Sequence, residues 1–331
     1  MNPTHFIWNV HPTVISIGPF LINTIYLRIA LSALLIGQLL YYFININKLE
    51  KSRKDNLSLY IILNFLIIIT FQFIIANPLK FHPEVRWYGL LFALAFILCY
   101  WVLHYVYVRE AKPLKQLEVL TIYLITGTVL GARLGHCLFY EGAYYLANPV
   151  EILFIWNGGL ASHGAGIGVT LSVILFAYRY GKSELVWLMD RVSLVVPIAA
   201  TCVRLGNFFN SEIIGRPADV AWAVVFARLN DATPRHPSQL YEAIAYILIF
   251  IFLFITYKSF KTEIPKGRIT GYFLTFLFSA RFLIEFFKER QVPFEQSMSV
   301  DMGQLLSLPF IAFGIFMLWW SFRKKTLNDE L

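Results

Sequence analysis

DRVSLVVPIAATCVRLGNFF, residues 190–209, opens on the charged pair Asp190–Arg191 and then runs almost unbroken in apolar residues to a second arginine, Arg204, near its end. About 20 residues of α-helix cross a bilayer. A cationic side chain at the centre of such a helix costs at least about 2.5 kcal/mol. The stretch therefore reads as a membrane span whose arginine needs a reason to be there.

The rest of the chain has the same character. It is 58% hydrophobic, 17% aromatic and only 15% charged, with a mean hydropathy of +0.61. One soluble core cannot hide that much apolar surface, so the fold class is all-α, a polytopic integral membrane protein. Nine apolar spans are expected, at 22–46, 57–76, 87–108, 117–140, 161–178, 190–209, 238–257, 269–288 and 303–322. The first is too long for a removable signal peptide and lacks a basic start and small-residue cleavage site.

Basic residues orient these spans, because short loops rich in Lys and Arg stay in the cytoplasm. Lys48, Lys51, Arg53 and Lys54, then Arg109, Lys112 and Lys115, then Arg179 and Lys182, then Lys258, Lys261, Lys266 and Arg268, and finally Arg323, Lys324 and Lys325 make up 16 of the 28 basic residues. All five groups fall on one side of a nine-span topology, which leaves the N-terminus and the loops at 141–160, 210–237 and 289–302 outside. The net charge of +8 thus reads as topology and contact with membrane lipids, not nucleic-acid binding. Cys99, Cys137 and Cys202 lie in or near spans without CxxC spacing and read as packing residues. No metal-ligand spacing and no GxSxG nucleophile motif occurs in the sequence, so neither a metal nor another cofactor is expected.

What stands out is charge inside the spans. Arg133, Arg204 and Arg281 each fall roughly five to seven residues before the outer end of an inside-to-outside helix, about 8 to 11 Å deep at 1.5 Å per residue. His163, within WNGGLASHGAGIG (156–168), enters the following helix in its first turn and belongs to the same layer. A single arginine can snorkel to the interface, and a histidine among small residues can be a plain helix start, with Gly164 and Gly168 as a GxxxG packing pair. Three arginines at one depth beside a histidine weaken that reading and mark a site.

Neighbouring residues refine it. Glu285 stands four residues after Arg281, where a carboxylate reaches a guanidinium on the same helix face. Asn207 shares a face with Arg204, and the chain then breaks into NSEIIGRP with Glu212, Gly215 and Arg216 at the outer surface. RLGHCLFYE (133–141) parallels RLGNFFNSE (204–212), either a duplicated half-site or a coincidence between two apolar helices. HPSQLYE (236–242) reads either as a helix entry, with Pro237 in the first turn, or as a substrate contact.

Arginines in one leaflet suit an anionic ligand whose apolar part remains in lipid, a phospholipid headgroup, since the planar guanidinium holds phosphate through two charge-assisted hydrogen bonds. His163 meets the positive end of its helix dipole, which favours the neutral imidazole and so a base. A lipid flippase or anion transporter could also use buried arginines, but such proteins place their site near the midplane between inverted repeats.

Seven motifs in one order, RWYGLL (86–91), GARLGHCLFY (131–140), GGLASHGAGIG, RLGNFFNSEIIGRP (204–217), PRHPSQLYE (234–242), ARFLIEFFK (280–288) and MGQLLSLP (302–309), resemble the prolipoprotein diacylglyceryl transferase family. The resemblance implies transfer of the diacylglyceryl group of phosphatidylglycerol to the lipobox cysteine of a prolipoprotein, with release of glycerol phosphate, in the outer leaflet of the bacterial inner membrane. It implies a seven-helix core at 87–323, preceded at 1–86 by an outer segment with two additional spans and followed by a cytoplasmic tail at 324–331. Its important residues fall on Tyr88, His163, Arg204, Asn207, Glu212, Gly215, Arg281 and Glu285. Catalytic roles are expected for His163, Arg204 and Arg281, with Glu285 and Glu212 positioning the arginines. Tyr88, Arg133, Asn207, Glu212, Gly215, Arg216 and Glu285 are expected to bind substrate. Departures from the family pattern are the two extra spans, Val203 and Ser211 where glycine is usual, and Ala161 where serine is frequent.

Overall fold

The computed structural model describes residues 5–16, 20–22, 79–81, 84–154, 159–181, 184–260, 264–289 and 300–329. The chain divides into two compact units, one of Met1–Val14 with Arg86–Leu331 and one of Ile15–Val85. The described strands are β1 (Phe6–Trp8), β2 (Thr13–Ser16), β3 (Phe20–Ile22), β4 (Leu79–Phe81), β5 (Glu84–Arg86), β6 (Val224–Phe226) and β7 (Pro234–Arg235). In the smaller unit β3 and β4 pair antiparallel, Phe20 opposite Phe81. Of the two spans expected at 22–46 and 57–76, all but Ile22 lies outside the described residues.

The larger unit is helical: α1 (Trp87–Arg109), α2 (Leu114–Phe139), the short α3 (Gly142–Ala147), α4 (Ser162–Tyr180), α5 (Leu185–Asn210), α6 (Ser238–Ser259), α7 (Arg268–Glu285) and α8 (Met302–Asp329). Among the described residues, α1, α2, α5, α6 and the part of α8 at Met302–Arg323 are long and apolar enough to cross a membrane, which makes this a multi-pass membrane protein. The opening stretch forms α5, and 56% of its apolar window is buried against 17% for α1, so α5 is the helix the others pack around. Its neighbours α1, α6 and α7 meet it through Val106, Leu194, Tyr246, Leu253 and Ile269. On its other flank α1, α2 and α4 enclose Leu103, Leu117, Leu120, Val173, Phe176 and Leu188.

Small residues set the closest approach. Gly127, Gly131 and Gly135 of α2 lie directly against Gly164 and Gly168 of α4, and a methyl group on Gly164 or Gly168 would collide with the carbonyl oxygen of Gly131 or Gly127. Without a hydrophobic drive between helices in lipid, such contact is what holds a pair together. Ser172 adds a hydrogen bond from its Oγ to the carbonyl of Tyr123, 2.7 Å.

Polar anchors fix the N-terminal end of α5. Asp190 accepts from the backbone N–H groups of Gly267 (2.7 Å) and Thr270 (2.8 Å), and from the Thr270 hydroxyl, so it caps the start of α7 from a different helix. Next to it Arg191 makes two bonds to Glu110 (2.9 and 3.0 Å), whose oxygens also accept from Trp187 and Tyr257. The remaining donors and acceptors of a charge removed from water are thereby filled. From this fixed end α5 runs roughly 20 Å to Arg204.

At the far end of the bundle a small sheet covers the helix ends. β1 runs parallel to β6, Phe6 opposite Val224, and β6 pairs antiparallel with β7. Trp8 packs its ring on Phe208 (4.4 Å between centroids) and Phe209 (5.4 Å) at the end of α5. Trp87 stacks on Phe209 (4.9 Å) and donates its backbone N–H to Pro12 (2.9 Å), which fixes the entry to α1.

Candidate active site

Alternating chain direction brings the C-terminal ends of α5 and α7 beside the N-terminal end of α6, and the charged residues of all three meet there. Arg204 is buried, its Nε 2.8 Å from Oε2 of Glu242 on α6. It also donates from Nη1 to Oδ1 of Asn207 at 3.4 Å. Asn207 in turn donates to Glu212 (3.2 Å), as does Asn210 (3.1 Å). Glu242, 0% exposed, accepts at Oε1 from the Tyr246 hydroxyl (2.9 Å) and from Lys288 (3.1 Å), and Lys288 also donates to Glu285 (2.9 Å).

The loop after α5 is held in a strained shape. Ser211 and Ile213, on either side of Glu212, have φ of 56° and 55°, a left-handed conformation that a β-branched residue adopts only when its surroundings impose it. The surroundings are the first turn of α6. Ser238 donates to the Ile213 carbonyl (3.0 Å) and Gln239 to the Glu212 carbonyl (2.6 Å), both side chains fully buried. Gly215 then passes between the backbones of His236 and Phe287, where any Cβ would strike their carbonyl oxygens. Arg216 follows with its N–H on the Phe287 carbonyl (2.8 Å), its Nε on the Lys288 carbonyl (2.8 Å) and Nη2 on Asp301 (3.2 Å).

Glu285 lies against the start of α8. A Cβ on Gly303 would sit 2.5 Å from its carboxyl carbon, so only glycine leaves room for the group there. The side chain of Gln304 accepts from the Asp301 N–H (3.1 Å), the glutamine half of a capping box. The first turn of α8 thus presents its positive end to a carboxylate.

Among the described residues Arg281 is half-buried and has no hydrogen bond or ion pair, although Glu242 and His163 both lie within its electrostatic reach. His163, in the first turn of α4, is exposed and feels Arg281, Arg204, Glu285 and Lys288. Tyr88 rests its ring on Gly206, where a Cβ would come within 2.7 Å, and lies within the field of Glu212 and Arg204. Arg204, Arg281 and Lys288 face the carboxylates of Glu242 and Glu285, with Glu212 joined to Arg204 through Asn207, so the charges of the cluster balance while Arg281 alone of its cations makes no ion pair among the described residues.

Most of the residues singled out in the sequence therefore come together: Tyr88, His163, Arg204, Asn207, Glu212, Arg281 and Glu285. Three pairings differ from expectation. Glu285 holds Lys288 and not Arg281, because spacings of three and four are both within reach on a helix and the lysine arrives from the turn beyond. Glu212 holds Asn207 and Asn210 and not an arginine. Arg133 is buried and commits its donors to the carbonyls of Ile152 (2.9 Å), Glu151 (2.5 Å) and Gly159 (3.3 Å), with its guanidinium over the Tyr145 ring. It holds the loop that leads into α4. Arg216, exposed, bonds the end of α7 and Asp301 through Nε and Nη2.

Glu242, Lys288, Tyr246 and Gln239 were not anticipated. HPSQLYE does form a helix entry, with α6 beginning directly after Pro237, and its last residue also supplies the carboxylate for Arg204. The signal was present, since Glu242 is an acidic residue within an apolar span and intramembrane carboxylates are as costly as arginines.

Outside the helices, Asp231, Thr233 and Arg235 form a clasp. Arg235 pairs with Asp231 (2.8 Å) and Glu289 (2.9 Å), and hydrogen bonds from the Thr233 side chain and from Arg235 hold the Asp231 carboxyl down at about 2. His236 stacks edge-on against Phe287, and burial pushes its imidazole pKa below the ordinary histidine value.

Fold and site together define a multi-pass helical membrane protein with a cation-rich cluster gathered at one end of its helices. The chain belongs to the prolipoprotein diacylglyceryl transferase family, whose family model matches residues 74–320. Relatives named phosphatidylglycerol–prolipoprotein diacylglyceryl transferase include that of Chloroherpeton thalassium, 46% identical over 244 residues, 74% of this chain and 91% of that protein. That of Tolumonas auensis is 46% identical over 241 residues, 73% of this chain and 93% of the other. That of Bacteroides fragilis is 42% identical over 260 residues, covering 75% and 93%.

Proposed function

We propose that this chain transfers the diacylglyceryl group of phosphatidylglycerol to the lipobox cysteine of a prolipoprotein, at a site open to the outer leaflet of the bacterial inner membrane. The names of its relatives support the substrates, and the distribution of basic loops supports the orientation. The observation that carries the chemistry is the Arg281 guanidinium, a positive charge surplus to the ion pairs formed among the described residues. A phosphodiester is a monoanion and fits that surplus.

The cysteine sulfur attacks the glycerol carbon that bears the phosphate. The carbon–sulfur bond forms as the carbon–oxygen bond breaks, and the electron pair leaves on oxygen as glycerol phosphate. The leaving group thereby gains a second negative charge. Arg281 and Arg204 are placed to take it up, and stabilising charge that develops only in the transition state is what accelerates a reaction. A thiol is mostly protonated near neutral pH, and His163, exposed and facing the cluster, accepts its proton. Tyr88, Asn207 and Glu212 supply hydrogen bonds around the headgroup.

The test is transfer of label from the acyl chains of phosphatidylglycerol to a lipobox peptide by purified protein. Labelled peptide, absent when its cysteine is replaced by serine, is the expected result. Movement of lipid between leaflets with no labelled peptide would overturn the reading in favour of a flippase.

A further inference from the structure

We infer that Glu242 is the positioning residue of the phosphate clamp, acting through Arg204; the inference rests on the transferase reading above. Glu242 is fully buried and divides its two oxygens. Oε1 is fixed by the Tyr246 hydroxyl (2.9 Å) and Lys288 (3.1 Å), leaving Oε2 to face Nε of Arg204 at 2.8 Å. A carboxylate on the Nε edge turns the outer end of the guanidinium towards Asn207 and, through it, Glu212. The same helix, one turn earlier, uses Ser238 and Gln239 to hold the Glu212 loop in its left-handed path. The first two turns of α6 thus set both the cation and the carboxylate that border the headgroup, without touching the reacting atoms themselves. Lys288 extends the arrangement to Glu285 on α7, so that α5, α6 and α7 keep one relative placement while Arg281 remains open to substrate.

A carboxylate could instead do no more than balance charge, and the two roles separate by substitution. Glu242→Gln keeps the shape and a hydrogen-bonding group but releases Arg204. A misplacement of about 1 Å in a catalytic group costs on the order of 100-fold, so kcat per folded protein should fall about 100-fold while KM for phosphatidylglycerol stays within about 3-fold. The double variant Glu242→Gln/Lys288→Met restores the original net charge of the cluster. It should remain as slow as the single variant. Recovery to near wild-type turnover would reduce Glu242 to a counter-charge and overturn the inference, as would normal turnover in Glu242→Gln. Where Glu242→Gln does not fold, Tyr246→Phe removes only the hydroxyl that fixes Oε1. It should lower kcat several-fold at unchanged KM, and full activity in that variant would overturn the inference. A wild-type protein that labels no peptide removes the transferase reading and the inference with it, whereas an active wild type with an unaffected Glu242→Gln removes the inference alone.

Discussion

Replacing Arg204 with lysine keeps the charge and removes the fork. In the structure two different nitrogens of this guanidinium serve at once, Nε towards Glu242 at 2.8 Å and Nη1 towards Asn207 at 3.4 Å. A lysine ammonium is a single point donor on a flexible stem and cannot hold both partners and a phosphate oxygen together. It will go to Glu242, because a buried carboxylate with one cation removed is the costlier loss. The phosphate then forfeits one charge-assisted contact in a water-poor site, worth about 2.7 to 4 kcal/mol by analogy with an oxyanion donor, or roughly 100- to 1000-fold in rate. The assay is diacylglyceryl transfer to a lipobox peptide at saturating phosphatidylglycerol, with matched amounts of folded protein. Arg179→Lys is the control, since Arg179 is an exposed residue in the last turn of α4, at the opposite end of that helix from His163. Near-normal turnover by Arg204→Lys would show that charge alone suffices, and the two-point hold would have to be abandoned.

Ser211→Gly should raise the melting temperature by about 1 to 4 °C, because a non-glycine residue in the left-handed region costs about 1 to 2 kcal/mol and the glycine gives back only part of that as chain entropy; the Ser211 hydroxyl is also buried without a partner. A lower melting temperature by differential scanning fluorimetry would contradict the strain. Gly164→Val should abolish folded protein, judged by size-exclusion profile, since its side chain would run into Gly131 and Gly135, whereas Gly166→Ala, which meets nothing within 4 Å, should be silent. Asp231→Asn tests the outer clasp through pH. The wild-type carboxyl sits at about 2 in the folded protein, below the ordinary value of about 3.9, so its contribution is complete above about pH 5 and is lost as pH falls from there through 2. The melting difference between wild type and variant should hold steady from neutral pH to about 5 and then shrink, and a difference that widens with acid would refute the assignment.

How far the sequence carries depends on how each residue is constrained. Helices α1, α2, α5, α6 and α8 begin or end within a few residues of the expected spans, because a length of about 20 apolar residues is set by the bilayer and needs no tertiary information. Arg204, Arg281 and His163 were legible for the same reason, since charge within such a run is conspicuous. Their partners were not. Whether Glu285 meets Arg281 or Lys288 depends on the turn that follows α7, and i+3 and i+4 spacings do not distinguish them. That Glu242 faces Arg204 is a contact across 38 positions and two helices, invisible to any local pattern. The left-handed residues flanking Glu212 were also hidden, although glycine at the position of Ser211 in the family pattern hinted at such a backbone.

Arg133 and Arg204 show what decides an intramembrane arginine's use. Both begin a stretch reading Arg-Leu-Gly, and the likeness extends to the side chains: the residue three positions on pairs with a glutamate five further along, His136 with Glu141 at 3.8 Å and Asn207 with Glu212 at 3.2 Å. The guanidinium groups nonetheless diverge. Arg133 meets a loop and the short helix α3, whose carbonyls and Tyr145 ring are neutral and consume its hydrogen bonds while leaving it in place as a strut. Arg204 meets the start of α6, which offers a carboxylate already shared with Lys288, so its charge is balanced but its outer end is not enclosed by backbone. A strut can be exchanged for other packing at a cost in stability, whereas under the proposed function an arginine aimed by a shared carboxylate is held for its geometry. Depth in the membrane finds both residues, and the element opposite determines whether the guanidinium is closed off by carbonyls or balanced by a carboxylate.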